Sequence, residues 1–286
     1  MTLPDSVALL GVKGGPAIRP GSAMPTSTLV SLGGRRVVVD CGLGVAAGLA
    51  RQRMALADLD LILITHLHSD HVLELSPLIH TAWTAGLRTP VRVHGPAGLE
   101  ALWQGFLASL AFDVDLRIAD EGRPDLRALA DIRTLDAGEV MASGGVAVSA
   151  MRVTHPPLVD CFALSFRGRR SHVVISGDTA PCDGLEAFAR GADLLVHEAM
   201  LEAALPALMA RVGNATDKLM AHMLHSHSFA QDAAELATRA GVKRLALNHL
   251  IPSDDPDYGP QDWREAVAAH WDGPFFVGRD GMRIEI

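Results

Sequence analysis

Six consecutive residues, His66-Leu67-His68-Ser69-Asp70-His71, set three imidazoles and a carboxylate directly after the apolar run Leu59-Asp60-Leu61-Ile62-Leu63-Ile64-Thr65. Imidazole nitrogen and carboxylate oxygen are the non-sulfur ligands that zinc prefers. Crowded at one strand end, four such groups repel or stay unsatisfied unless a cation lies among them. His66 and His68 are two apart on an extended exit from a strand, so both side chains point the same way and can reach one ion. Asp70 and His71 continue into a helix start and turn towards a neighbouring position. Downstream, His155 sits in Val-Thr-His-Pro-Pro, Asp178 in Ser-Gly-Asp-Thr and His249 in Leu-Asn-His-Leu. Each follows an apolar stretch and can also stand at a strand end. With 13 histidines in the chain some are bystanders; His80, His94, His172 and His270 carry no such context and read as structural.

The elements that must position these groups alternate along the chain. Strand patterns cover residues 7–11, 28–32, 37–40, 59–65 and 90–94, with helices at 45–54, 72–85 and 97–111. Residues 113–127 read as polar and irregular, broken at Asp120-Glu121-Gly122-Arg123-Pro124. Strands return at 146–154, 161–167 and 172–176. A second half like the first follows, with a helix at 184–190, a strand at 193–197, a helix at 229–240, a strand at 244–248 and a helix at 261–270. Residues 275–278 and 282–286 flank Arg279-Asp280-Gly281 and read as a closing hairpin. This periodicity supports the α/β class and no more.

The HxHxDH frame with its ordered later ligands resembles the metallo-β-lactamase-fold hydrolases. Leu9-Leu10-Gly11-Val12-Lys13-Gly14-Gly15-Pro16, Val37-Val38-Val39-Asp40-Cys41-Gly42 and Leu194-Leu195-Val196-His197-Glu198-Ala199 extend the match over nearly the whole chain. The details are most similar to the ribonuclease Z-like branch and its arylsulfatase-type members. His197-Glu198-Ala199 resembles that branch's His-Glu-Ala-Thr element, with Met200 for Thr. His227-Ser228 resembles its His-Ser-Thr element, with Phe229 for Thr. The resemblance implies one domain over residues 1–286, a four-layer αββα sandwich of two mixed β-sheets with helices outside. It implies two divalent ions. The first takes His66, His68 and His155, the second Asp70, His71 and His249, and Asp178 bridges them. Zinc is the first choice for such a donor set. The site lacks a thiolate and also suits manganese or iron. A water shared by the ions is the expected nucleophile, oriented or deprotonated by Asp70. His227 is the expected general acid, held by Glu198. His222 and His225 crowd the same loop; one or both are candidates for lining the mouth, although solvated loop histidines are the preferred reading.

Composition narrows the substrate. The 286 residues are 49% hydrophobic, enough for a large core. No run of eighteen uncharged apolar residues suggests a membrane span. The N-terminus Met1-Thr2-Leu3-Pro4-Asp5-Ser6 has no basic segment followed by an apolar one, so no signal peptide and a cytoplasmic location are expected. Cys41, Cys161 and Cys182 form neither a disulfide framework nor a CxxC site.

With 25 basic and 33 acidic residues the net charge is −8. The densest basic cluster, Arg167-Gly168-Arg169-Arg170, reads as a turn. The long basic arm with which ribonuclease Z proper grips tRNA has no counterpart between residues 95 and 146. Asp254, Asp255 and Asp257, just after His249, would repel a polyanion. The expectation is therefore a hydrolase of a small ester with an apolar or aromatic leaving group: an aryl sulfate, phosphodiester or lactone. Trp83, Trp103, Phe106 and Phe112 are candidates for walling its pocket, although helix-face core positions suit most of them better. Nucleic acid is not the expected partner, and a homodimer stays open. A tRNA 3′-end endonuclease and a non-catalytic scaffold that keeps its ligands are the alternatives.

Overall fold

The computed structural model describes residues 4–286; Met1 to Leu3, on which the reading of the N-terminus partly rests, lie outside the described residues. The first half comprises β1 (Ser6–Gly11), β2 (Ser27–Leu32), β3 (Arg35–Val39), α1 (Val45–Arg51), β4 (Leu61–Leu63), α2 (Ser69–Val72), α3 (Leu75–Thr84), β5 (Val91–Gly95), α4 (Leu99–Ser109), α5 (Ala111–Glu121) and β6 (Ala130–Thr134). The second comprises β7 (Gly138–Ser143), β8 (Val146–Arg152), β9 (Phe162–Arg167), β10 (His172–Ile175), α6 (Leu185–Ala189), β11 (Leu194–Met200), α7 (Leu205–Arg211), α8 (Asp217–Ser226), α9 (Ala230–Ala240), β12 (Leu245–Ile251), α10 (Pro260–Ala268), β13 (Phe275–Val277) and β14 (Met282–Glu285).

They build two seven-stranded mixed sheets, ordered β14-β1-β2-β3-β4-β5-β6 and β13-β12-β11-β10-β9-β8-β7. The inner faces meet through Val7, Leu9, Val30, Val39, Leu61 and Leu63 on one side and Val148, Phe162, Phe166, Val173, Val196 and Ala246 on the other. The alternate residues Ala8, Leu10, Leu29, Val38, Ile62 and Ile64 turn outward onto Leu49 of α1, Leu78 and Trp83 of α3 and Trp103 of α4. Period-two alternation with both faces apolar is the signature of strands covered on both sides. The expected αββα sandwich is the observed one.

Two expectations are corrected. Residues 275–278 and 282–286 do not form a hairpin. β13 adds parallel to β12 in the second sheet, and β14 antiparallel to β1 in the first. The turn between them crosses from one sheet to the other, and the Asp280 carboxylate anchors it by accepting from the Val12 and Met24 N–H groups. Residues 113–127 are not irregular throughout: α5 runs to Glu121 and stops at Gly122, whose φ is +63°. Asp113, Arg117 and Glu121 pair at i,i+4, so this charge-rich stretch stabilises a helix. Trp83 and Trp103 are core and Phe106 packs against that core, as the helix-face reading expects; Phe112 is 84% exposed, and none of the four lines the candidate site. The N-cap residue of α9 is Phe229, whose N–H donates to Asp232, while the Ser228 hydroxyl donates to the Thr179 carbonyl. Among the described residues no helix is long and apolar enough to cross a membrane. The three cysteines are free.

Candidate active site

The loops at the ends of β3, β4, β10, β11 and β12 converge on one point between the sheets. The turn after β4 carries His66 and His68, and α2 carries Asp70 and His71. Backbone bonds tie this segment to the end of β3, Cys41 N–H to the His71 carbonyl and Glu74 N–H to the Cys41 carbonyl. Asp178 follows Gly177, whose φ is +60°. A Cβ at that position would come within 2.4 Å of the Phe162 carbonyl oxygen, so glycine alone fits there. His249 sits where the register of β11 and β12 slips, because Glu198 pairs with Asn248 while Ala199 pairs with Leu250. One extra residue is thereby left unpaired, and His249 takes a φ of +44°. Such a bulge re-aims a side chain.

All seven expected ligands come together. Ligand atoms of His66, His68 and His155 lie within 4.8 Å of one another, as do those of Asp70, His71 and His249, and those of His66, His71 and Asp178. Asp178 Oδ2 is 3.0 Å from His249 Nε2, 3.3 Å from His71 Nε2 and 3.7 Å from His66 Nε2, which puts the carboxylate between the two groups. His155 donates from Nδ1 to the Ser226 carbonyl at 2.7 Å, so its Nε2 presents a lone pair to the site. His66 Nδ1 lies 3.1 Å from the Thr65 hydroxyl, which itself donates to Asp40, and this also leaves Nε2 a lone pair. His68 Nδ1 stands 3.2 Å and 3.0 Å from those two nitrogens. His71 donates from Nδ1 to Asp40 Oδ2 at 2.8 Å, and its buried Nε2 has no hydrogen-bond partner. Facing lone pairs beside two buried carboxylates are what a pair of cations satisfies, so the donor set fits divalent metal ions.

Burial depresses the pKa of His66 and lowers that of His155 to about 4, which keeps both imidazoles in the neutral, ligating form. His71 goes the other way: burial disfavours its charge, but Asp178, Asp40 and Asp70 outweigh burial and raise its pKa well above the ordinary value, so an ion bound there has to displace a proton. Burial pushes the Asp70 pKa up, but His71 and His249 overcome it and hold the carboxyl well below the usual range.

Glu198 and His227 stand beside the ligands. Glu198 is buried at the end of β11, where Oε1 accepts from the Thr179 N–H at 2.7 Å and from His227 Nδ1 at 2.9 Å. Burial disfavours the imidazolium, yet the Glu198 carboxylate outweighs it and raises the His227 pKa to about 9. The His227 ring stacks on His249 at 5.3 Å, and a His227 ligand atom lies within 4.8 Å of those of His155 and Asp178.

Above this floor opens a cavity of about 350 Å³. Its apolar wall comes from α7 and α8, through Leu208, Met209, Val212, Leu219 and Met223. These belong to a small cluster of their own with Met200, Leu205 and Ile251. His222 lines the cavity as well, its ring 6.0 Å from those of His68, His155 and His227. His225 is exposed and bonded to its own helix. Cys182 borders a separate cavity with His197 and Ser228 and does not reach the ligands' cavity.

Three features escaped sequence reasoning. Asp40, the outer carboxylate of His71, carried one visible signal: an acid directly after Val37-Val38-Val39. Its φ of +59° is a strain that sits beside the site. The apolar wall was not read as helices. Two of the three acids of the loop after His249 are paired: Arg19 Nε donates to Asp254 at 2.5 Å, and Arg211 reaches Asp255 at 3.0 Å. Asp254 and Asp255 therefore tie two arginines to the rim and do not present free negative charge.

Residues 7–249 match the family model described as Anti-Pycsar protein Apyc1. A ribonuclease Z from Mycobacterium bovis is 32% identical over 284 residues, covering 98% of each chain. The metallo-β-lactamase fold protein YhfI from Bacillus subtilis superposes with a TM-score of 0.73 at 20% identity, over 99% of this chain and 100% of that one. The short form of human tRNase Z gives a TM-score of 0.69 at 22% identity, over 98% and 99%. The convergent ligand loops, the paired seven-stranded sheets and these full-length matches place the chain in the Anti-Pycsar protein Apyc1 family, among the ribonuclease Z-like hydrolases of the metallo-β-lactamase fold.

Proposed function

We propose that this chain, acting as one domain, is a binuclear metal-dependent hydrolase of small phosphodiester-type substrates. The observation that carries the reading is the convergence of two ligand groups on a shared Asp178, at the floor of a cavity lined on one side by aliphatic side chains. His66, His68 and His155 would hold one divalent ion and Asp70, His71 and His249 the other, with zinc the first choice and manganese or iron suited to the same oxygen and nitrogen donors. Bound there, the ions supply Lewis acidity and bring a water's pKa towards neutrality. Asp70, fixed by the Gly15 N–H at 2.8 Å, orients or deprotonates the nucleophile. His227 gives its proton to the leaving oxygen, and Glu198 sets the ring's direction and keeps it charged. Leu208, Leu219 and Met223 receive an apolar leaving group.

Ester hydrolysis at phosphorus is favoured over sulfate or lactone because the full-length relatives are named ribonucleases. Those names, with Asp254 and Asp255 neutralised, also support a second reading as a tRNA 3′-end nuclease. The cavity volume, within the range of small-molecule sites, favours the first. The test is elemental analysis of protein purified without chelator, followed by turnover of chromogenic phosphodiester, sulfate and lactone substrates against precursor tRNA. More than one equivalent of metal and preferred phosphodiester turnover are expected. Less than half an equivalent after reconstitution refutes the binuclear reading, and preferred cleavage of tRNA refutes the small-substrate reading.

A further inference from the structure

Lys13 is 3% exposed, yet it lies in the wall of the reaction cavity. Its Nζ donates to the Gly14 carbonyl at 2.8 Å, its one hydrogen bond among the described residues, and no ion pair forms there. Nζ also lies 4.0 Å from where a Gly15 Cβ would stand, against a segment whose next N–H holds Asp70. That backbone is fixed from three sides. Lys13 N–H donates to Met24, Gly14 N–H donates to Leu250, and a Cβ at Gly14 would meet His249 at 2.9 Å. A buried ammonium without a carboxylate is costly to keep. The nearest carboxylates do not neutralise it, because Asp254 is taken by Arg19 and Asp70 faces His71 and His249. Burial, with Arg19 adding to it, lowers the Lys13 pKa to about 8, which leaves it protonated at pH 7.

We propose that Lys13 is the substrate-anion contact of this site, its ammonium pairing with a non-bridging oxygen of an anionic ester and so selecting monoanionic diesters over neutral esters. The proposal rests on the hydrolase reading above and narrows its substrate class. A positive charge fixed in a partly desolvated wall favours an anion over a neutral isostere through one charge-assisted hydrogen bond, worth about ten- to a hundredfold.

The experiment compares bis(4-nitrophenyl) phosphate with its neutral methyl triester on the protein as purified, for wild type, Lys13→Met and Lys13→Arg, all checked for equal metal content. The methionine keeps the apolar stem and removes the charge. Lys13→Met is expected to lower kcat/KM for the diester at least about tenfold while leaving the triester within about twofold, and Lys13→Arg to retain most diester activity. Inorganic phosphate, titrated by calorimetry, is expected to bind wild type about tenfold tighter than Lys13→Met. Equal losses on diester and triester, an unchanged diester, or equal phosphate affinity overturns the proposal. If wild type turns over neither ester, the hydrolase reading fails on its own, and phosphate affinity alone then decides for or against Lys13.

Discussion

Replacing Glu198 by glutamine isolates the charge that holds His227 in its acid form. The amide oxygen can still accept from the Thr179 N–H and from His227 Nδ1, now at 2.7 Å and 2.9 Å, so the shape of the pair survives and the negative charge does not. In the wild type that carboxylate overcomes burial and lifts the His227 pKa to about 9. Measured against an ordinary histidine near 6.5, the lift corresponds to about 3 kcal/mol as an order of magnitude. The folded-state pKa lies above the unfolded one, so this stability is fully present below about pH 6.5 and is lost as the pH rises through about 9. The measurement is urea denaturation of wild type and Glu198→Gln across that range, on protein stripped of metal so that no neighbouring cation competes for the imidazole. The wild type should be more stable by up to about 3 kcal/mol at pH 6, and the gap should close by about pH 9.5. It can even invert there, because a buried glutamate beside a neutral ring lacks a counter-ion. In the metal-loaded enzyme the alkaline limb of kcat/KM should move to lower pH in the variant. A stability gap that does not change with pH would refute the reasoning, since the pair would then act through packing and not through charge.

Other expectations follow from neighbouring contacts. His227→Ala should keep full metal content and a near-native Tm while kcat falls by about 10²–10⁴, least for nitrophenolate leaving groups that need little protonation; an equal loss across a leaving-group series would exclude the acid role. Asp40→Asn removes the anion that fixes the His71 tautomer and should weaken metal affinity by about 10–100-fold, read by competition with a chelating dye. An unchanged affinity would make Asp40 a purely structural residue. Leu219→Ser in the apolar wall should raise KM about tenfold for a bulky aryl ester and much less for a methyl ester. A uniform change in both would mean that α8 does not meet the leaving group.

The set of seven candidate ligands that the fold brings together was legible in the chain because it is local chemistry at recognisable strand ends. Three histidines and an aspartate within six residues can be read without knowing what packs where, and His155, Asp178 and His249 each follow an apolar run. The two packed sheets were not legible in this way: the strand pattern supported the α/β class alone, and the sandwich was implied only by the family resemblance. What could not be read depends on partners far apart in sequence. Residues 275–286 look like a hairpin locally, and only the competition of β12 and β1 for their edges sends the two strands into different sheets. Asp254 and Asp255 look like free negative charge until Arg19 and Arg211 fold onto them. Asp40 becomes the support of His71, 31 residues away, only when β3 and the ligand loop are brought together. The apolar wall of the cavity and the isolated ammonium of Lys13 are properties of an enclosed space. A sequence holds the side chains that line such a space, but burial, and the loss of solvent that gives a lone charge its meaning, arise only when distant segments close around it.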